Sequence, residues 1–275
     1  ETKKSFYKKI EIFLFFLFYY IFLFNYNPNK SFIHKFEKYY LSKNINIIKN
    51  LNMIQIPRLE SKYLPKDLDI IIATWWETAY FVHNIKQHDL KKFYLCQHYE
   101  TWGGKSSLVK QSYKFNDLNL LAVSNWVKDK IKDEVGREST VILNSINFNI
   151  FKPQRSINYS YNKIRQIKLF KRQHNFKGFS RFIKLHDCLK EDNNIEFHIA
   201  SYSNCKKELG IDAICHKTNS AQKMSSFYNS IDILLLMSDS EGFGLPIIES
   251  MACGTPVIST PVGISQDIIK NEHNS

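Results

Sequence analysis

The sequence predicts an α/β fold built from two Rossmann-like domains with parallel sheets, and two observations carry that prediction. After residue 65, short runs rich in Ile, Leu and Val alternate with polar stretches of helical length. Near-continuous apolar runs suit strands buried on both faces, as in sheets made of βαβ units. A single polar break near residue 150 then divides the runs into two sets.

In chain order the strand candidates are LDIIIAT (68–74), KFYLCQH (92–98), NLLAVS (119–124) and TVILNSI (140–146). They are followed by RQIKLFK (165–171), IEFHIAS (195–201), DAICHK (212–217), IDILLLM (231–237) and TPVIST (255–260). Helices are expected over 76–87, 125–135, 178–190, 221–229 and 246–252. The break, NFNIFKPQRSINYSYNK (147–163), contains Pro153 and has no periodicity, so it reads as a linker. We place an N-terminal domain over residues 1–150, the linker proper over 151–163 and a C-terminal domain over 164–275. Two such domains are expected to face each other across a cleft, a common place for ligands.

The 275 residues suffice for two cores, and 44% apolar with 23% charged residues fits an ordinary soluble globular protein. The net charge of +12 points to an anionic partner. Half of that excess lies in residues 1–50, which hold nine Lys and three Glu. No basic stripe with interleaved aromatics occurs, so no nucleic-acid partner is expected. The five cysteines show no CxxC pair and no metal-ligand spacing, which suggests reduced, buried thiols in a cytosolic protein.

From Ile12 to Phe24 every residue is apolar or aromatic, with lysines on both sides. Thirteen residues are short of the roughly 20 needed to span a bilayer. No small-residue cleavage site follows, which argues against a signal peptide. The readings left open for residues 10–24 are a buried or partner-covered helix, an interfacial helix with its lysines at headgroups, and a membrane span.

The stretch SDSEGFGLPIIESMACGTPVIST (238–260) carries the chemistry. It follows the strand at 231–237, and open α/β sheets bind ligands at the carboxyl ends of their strands. Gly242 and Gly244 allow close approach of backbone amides to a ligand. Pro246 suits a helix start, and Gly254 suits a helix end. A Gly-rich turn opening a helix is a ready phosphate site. Glu249 is expected in the first helical turn, either favoured by the helix dipole or accepting paired hydroxyls. A dinucleotide-binding reading fails because Ile247 stands where a third Gly or Ala is needed. The DLD at 67–69 precedes its strand rather than ending it, so Asp67 and Asp69 read as loop residues, not as a metal-binding pair.

The segment EGFGLPIIESMACGTPVIST, with Glu241 and Glu249 separated by seven residues, resembles the E-x7-E signature of retaining GT-B glycosyltransferases of family 4. VILNSINFNIFKP (141–153) is similar to that family's domain junction, with Ser145 in place of the usual Gly. LLAVSNWVKDKI (120–131) resembles its strand–helix turn. KRQHNFKGF (171–179) resembles its G-R-x-x-x-x-K-G loop, with Lys171 in place of the first Gly. IIATWWETAYFV (71–82) and CQHYETWGG (96–104) resemble a rhamnosyltransferase-like subgroup of surface-polysaccharide assembly.

The resemblance implies transfer of a sugar from a nucleotide-diphosphate donor to a glycan or lipid-linked acceptor, with retention at the anomeric carbon. Glu249 would hold the ribose, while Arg172, Lys177 and the Gly242, Phe243, Gly244 and Leu245 amides would hold the diphosphate. Glu241 and His98 would act at the donor sugar, and neither a cofactor nor a metal would be needed. A cytoplasmic protein is expected, with peripheral contact at the inner face of the cell membrane if residues 10–24 form the interfacial helix, and a chain truncated at both ends. The alternative is a non-catalytic nucleotide-sugar-binding or membrane-associated subunit of a polysaccharide assembly system.

Overall fold

The computed structural model describes residues 13–14, 59–65, 68–154, 164–166, 177–201 and 213–270. The chain divides into two compact units. The first takes the described residues up to Leu95 and Glu100–Leu120; the second takes Cys96–Tyr99 and the described residues from Leu121 onward.

β1 (Phe13–Leu14), β2 (Ile70–Ala73) and β3 (Lys91–Cys96), all but Cys96 in the first unit, pair in parallel, with Phe13 opposite Ile71 and Ile71 opposite Lys92. Phe13 and Leu14 therefore form strand, where a helix was among the expectations for the apolar run. A continuous apolar run is also what a parallel strand needs, so periodicity alone could not separate the two. The rest of residues 10–24 lies outside the described residues. Among the described residues, no helix is long and apolar enough to cross a membrane.

Helix α1 (Trp76–Asn84) follows β2 and buries Thr78, Ala79 and Val82, one stripe of its surface. Its start is fixed by Thr78, whose Oγ1 accepts from the Thr74 and Trp75 amides at 3.2 and 3.0 Å. A second helix, α2 (Ser106–Ser112), precedes β4 (Asn119–Ala122).

A fully buried carboxyl ties this unit together. Glu100 Oε2 accepts the Trp76 amide at 2.8 Å and the Tyr94 hydroxyl at 2.7 Å. The Glu100 amide donates to Tyr113 Oη at 3.0 Å. Burial pushes the Glu100 carboxyl up to about 8, against the opposing pull of those two donors.

In the second unit, the end of β4 pairs with β5 (Thr140–Val141). The strand expected over 140–146 is shorter than read. Ile142 makes one more bond, its amide donating to Ala122 O at 2.8 Å, and the ladder stops because β4 ends there. Helix α3 (Asn125–Val135) starts on Ser124, whose Oγ accepts from the Val127 amide at 3.2 Å. It ends at Gly136, with φ of 72°, where a side chain would be strained.

A three-stranded parallel sheet in the order β6 (Ile164–Gln166), β7 (Ile195–Ser201), β8 (Ile214–Lys217) follows. The pair β9 (Leu234–Leu236) and β10 (Val257–Ser259) is also parallel, with Leu234 opposite Val257. Phe182 of α4 (Phe179–Leu189) packs with Phe197 and Ile199 of β7, Ala213 and Leu235 of β9 in one core. Helices α5 (Ala221–Tyr228), α6 (Leu245–Ala252) and α7 (Ser265–Ile268) complete the unit.

Residues 150–154, within the polar break, are tied to α5 and the residue after it. Ser225 Oγ donates to Ile150 O at 2.6 Å, and Asn229 exchanges bonds with Gln154 N and Lys152 O at 2.8 and 3.1 Å. Phe151 is buried beside Tyr228. Side-chain amides and hydroxyls thus satisfy a backbone that has no ladder of its own.

The cysteines depart from the expectation. Cys96 and Cys253 are free and buried, but Cys188 is free and exposed, and Cys215 is disulfide-bonded.

Candidate functional site

The carboxyl end of β9 leads into Ser238–Glu241, and the local bonds fold that segment back on itself. Ser238 Oγ donates to Glu241 Oε1 at 2.7 Å, and Thr260, just past β10, donates from Oγ1 to Ser238 O. Lys177 Nζ meets the same Glu241 Oε1 at 2.8 Å, with side chains only 13% and 14% exposed. An ion pair so shielded is screened much less than one on the open surface.

Lys177 can reach because Gly178, with φ of 74°, lies flat on the neighbouring strand end. A Cβ on Gly178 would stand 1.8 Å from Met237 O. Two residues into α4, Arg181 extends a fork over the same strand end. Its Nη1 donates to Met237 O at 2.8 Å, and its Nη2 pairs with Asp239 Oδ1.

The glycine turn comes next. A Cβ on Gly242 would stand 1.8 Å from Gln97 O and 3.1 Å from the His98 Cα, so only glycine fits against that backbone. Gly242 O accepts from Ser124 Oγ at 2.6 Å, and Phe243 O accepts from the Ile264 amide at 2.7 Å. In a trans peptide the C=O and the following N–H point in opposite directions. Both carbonyls are held, so the Phe243 and Gly244 amides are aimed away from Ser124 and Ile264. Gly244, with φ of 86°, then opens α6, with Leu245 first, Pro246 second and Ile247 fully buried.

Glu249 is the fifth residue of α6, in its second turn rather than its first. The macrodipole acts within the first turn, so it is not what places this acid. Instead Tyr228 on α5 donates from Oη to Glu249 Oε2 at 2.8 Å. Gly254, with φ of 79°, follows the C-cap Cys253, as expected of a helix end.

His98 belongs to the same unit as these residues. Its Nδ1 lies 3.0 Å from Tyr99 O, and its ring meets Trp126 edge-on at 6.2 Å. Burial above all, and the Lys177 charge, hold its pKa below the ordinary histidine value; the Tyr99 and Ser240 backbones and Glu241 act the other way.

The structure therefore brings His98, Lys177, Glu241, Gly242, Phe243 and Gly244 together around one turn. Leu245, 39% exposed, opens the helix, and Glu249 sits one turn further along it. Arg172 lies outside the described residues. Among the described residues, no group of three or more His, Cys, Asp or Glu could hold a metal ion. Sequence reasoning missed Ser238, Ser124, Tyr228 and Arg181. Ser124 stood in a motif already singled out, and Ser238 lies three residues before Glu241. Nothing in the spacing of Tyr228 or Arg181 points at the turn.

The fold is GT-B, with parallel sheets in a Rossmann-like arrangement, as expected. Residues 152–275 match the family described as Glycosyl transferases group 1. An uncharacterized glycosyltransferase of Methanocaldococcus jannaschii is 26% identical over 176 residues, which cover 58% of this chain and 44% of that protein. A D-inositol 3-phosphate glycosyltransferase of Paenarthrobacter aurescens is 46% identical over 43 residues, 16% of this chain and 10% of that protein. Among solved structures, a sucrose-phosphate synthase from Thermosynechococcus elongatus superposes with a TM-score of 0.60 at 15% identity, covering 90% of this chain and 65% of that one. TarM does so with a TM-score of 0.58 at 18% identity, covering 74% and 44%. The chain thus spans less than half of the M. jannaschii relative's length and about two thirds of the synthase chain.

Proposed function

We propose that the chain is part of a glycosyltransferase that moves a sugar from a nucleotide-diphosphate donor to a glycan or lipid-linked acceptor. The reading includes retention at the anomeric carbon, the family 4 type and a rhamnosyltransferase-like role in surface-polysaccharide assembly. Residues 1–150 would serve the acceptor and residues 164–275 the donor, joined by 151–163.

One observation carries the reading: the Lys177–Glu241 pair stands beside a glycine turn whose amides are aimed by two held carbonyls. That arrangement supplies an ammonium, oriented N–H donors and a helix start around one strand end, which together suit a diphosphate. Lys177 and Arg172 would neutralise the leaving nucleotide, the Gly242–Leu245 amides would bind its oxygens, and Glu249, steadied by Tyr228, would take the ribose hydroxyls. Glu241 would hold a sugar hydroxyl or support positive charge at the anomeric carbon, with a neutral His98 beside it. Leaving-group charge is met by side chains and amides, so the reading needs no metal or other cofactor. The lysine-flanked segment 10–24 would give peripheral contact with the inner face of the cell membrane.

The relatives' names support the class. The S. aureus TarM variant solved with UDP and α-GlcNAc-glycerol shows a protein of this fold holding a nucleotide and a glycoside. The test is a screen of labelled nucleotide sugars with a lipid-linked glycan acceptor, using the whole protein. Transfer that is lost in Lys177→Ala supports the reading. Donor binding with neither transfer nor hydrolysis refutes the enzyme and leaves a nucleotide-sugar-binding subunit.

A further inference from the structure

Two segments must keep their register for the proposed donor site to exist: the residues leading into α4, which include Lys177, and Ser238–Glu241, which carries Glu241. Lys177 and Glu241 touch each other, but in the proposed site that same contact would meet the diphosphate. A diphosphate that draws on Lys177 weakens its hold on Glu241. Something else must keep the segments in place while the charge is shared.

Arg181 is built for that task. It lies in the first turn of α4, four residues after Lys177, and its side chain extends over the same strand end. Its guanidinium makes two contacts from one rigid plane, to Met237 O at 2.8 Å and to the Asp239 carboxylate. A planar fork engaging two acceptors fixes orientation as well as distance, which a single ammonium cannot do. The two acceptors stand immediately before and after Ser238, whose hydroxyl holds Glu241. On the other side, Thr260 Oγ1 donates to Ser238 O, so the strand end is gripped from α4 and from the residue just past β10. Gly178 completes the seam, because its missing Cβ lets the helix start lie against Met237 O.

Energetic support of the fold is not the reason for this arrangement. Arg181 and Asp239 are each 48% exposed, and an exposed ion pair of that kind contributes little to stability. We infer that Arg181 is a positioning residue: its two-point hold on Met237 and Asp239 sets Lys177 against Glu241 and so shapes the diphosphate site. The inference rests on the donor-site reading above, and it adds a residue that touches neither nucleotide nor sugar.

The experiment is a double-mutant cycle on the 275-residue chain, with binding of UDP, GDP, CDP, ADP and dTDP measured by calorimetry. Arg181→Ala should weaken the nucleoside diphosphate that wild type binds by about tenfold, with the melting temperature nearly unchanged. In a Lys177→Ala background the same change should cost less than about twofold, because the residue through which it acts is gone. Arg181→Lys, which keeps the charge but loses the fork, should recover only part of the affinity. Asp239→Asn, which leaves the Met237 bond, should show a smaller loss of the same kind and carries the test if Arg181→Ala melts early. Equal affinity in wild type and Arg181→Ala overturns the inference alone, as do losses that simply add. A wild-type chain that binds none of the five diphosphates overturns the donor-site reading and this inference with it.

Discussion

Glu100 makes the stability of this chain fall as pH rises, and replacing it with glutamine should remove most of that fall. Its carboxyl is fully buried, and burial pushes it up to about 8 from an ordinary value of 4.5. Unfolded, the group ionises near its ordinary value; folded, it keeps its proton until about pH 8. The folded state therefore binds more protons across that window, so stability is fully present below the unfolded value and is lost as pH rises through the folded one. Separating the two values costs about 5 kcal/mol in all, of which roughly 3–4 kcal/mol falls between pH 5 and pH 8. Glu100→Gln keeps an acceptor for the Trp76 amide and the Tyr94 hydroxyl but cannot ionise. Urea unfolding at pH 5 and pH 8 should show the large drop in wild type and a drop smaller by about 3 kcal/mol in the variant. Equal drops in the two proteins would refute the burial argument, as would a wild type that gains stability on raising the pH.

Further outcomes follow from the glycine turn and its surroundings. Gly242→Ala puts a methyl 1.8 Å from Gln97 O, so the turn must shift, and a loss on the order of 2 kcal/mol or more in thermal unfolding is expected. Tyr228→Phe removes the hydroxyl that holds Glu249, and nucleoside-diphosphate affinity measured by calorimetry should fall by about fivefold, near 1 kcal/mol. Unchanged affinity would detach Glu249 from the ribose. Flotation of the chain with anionic liposomes, but not with neutral ones, is expected if residues 10–24 and their lysines meet a membrane, and equal recovery in both would remove the charge from that account.

Much of the fold is readable from periodicity, because buried parallel strands leave apolar runs that little else explains. The strand at 195–201 matches the expectation at both ends, and α3 matches over Asn125–Val135, where Ser124 and Gly136 mark its limits. The misreadings have physical causes. Phe13–Leu14 forms strand because an unbroken apolar run carries no period. The strand at Thr140–Val141 is short because its partner ends at Ala122, a fact of another segment. Within the site, Gly242 and Glu241 are legible because their chemistry is local. Tyr228 and Arg181 are not, because their roles depend on contacts 21 and 56–58 residues away in sequence. Glu100 shows the same limit, since a lone Glu between Tyr99 and Thr101 gives no sign of complete burial.

The central claim is that Lys177, Glu241 and the amides of the Gly242–Leu245 turn hold the diphosphate of a sugar donor. Calorimetric titration of the chain and of Lys177→Ala with the five nucleoside diphosphates addresses it most directly. The account predicts one preferred diphosphate for the unaltered chain and a loss of about tenfold or more on removing the lysine, the weight of a charge-assisted contact. Equal affinity in the two proteins, or none in the unaltered chain, would contradict it.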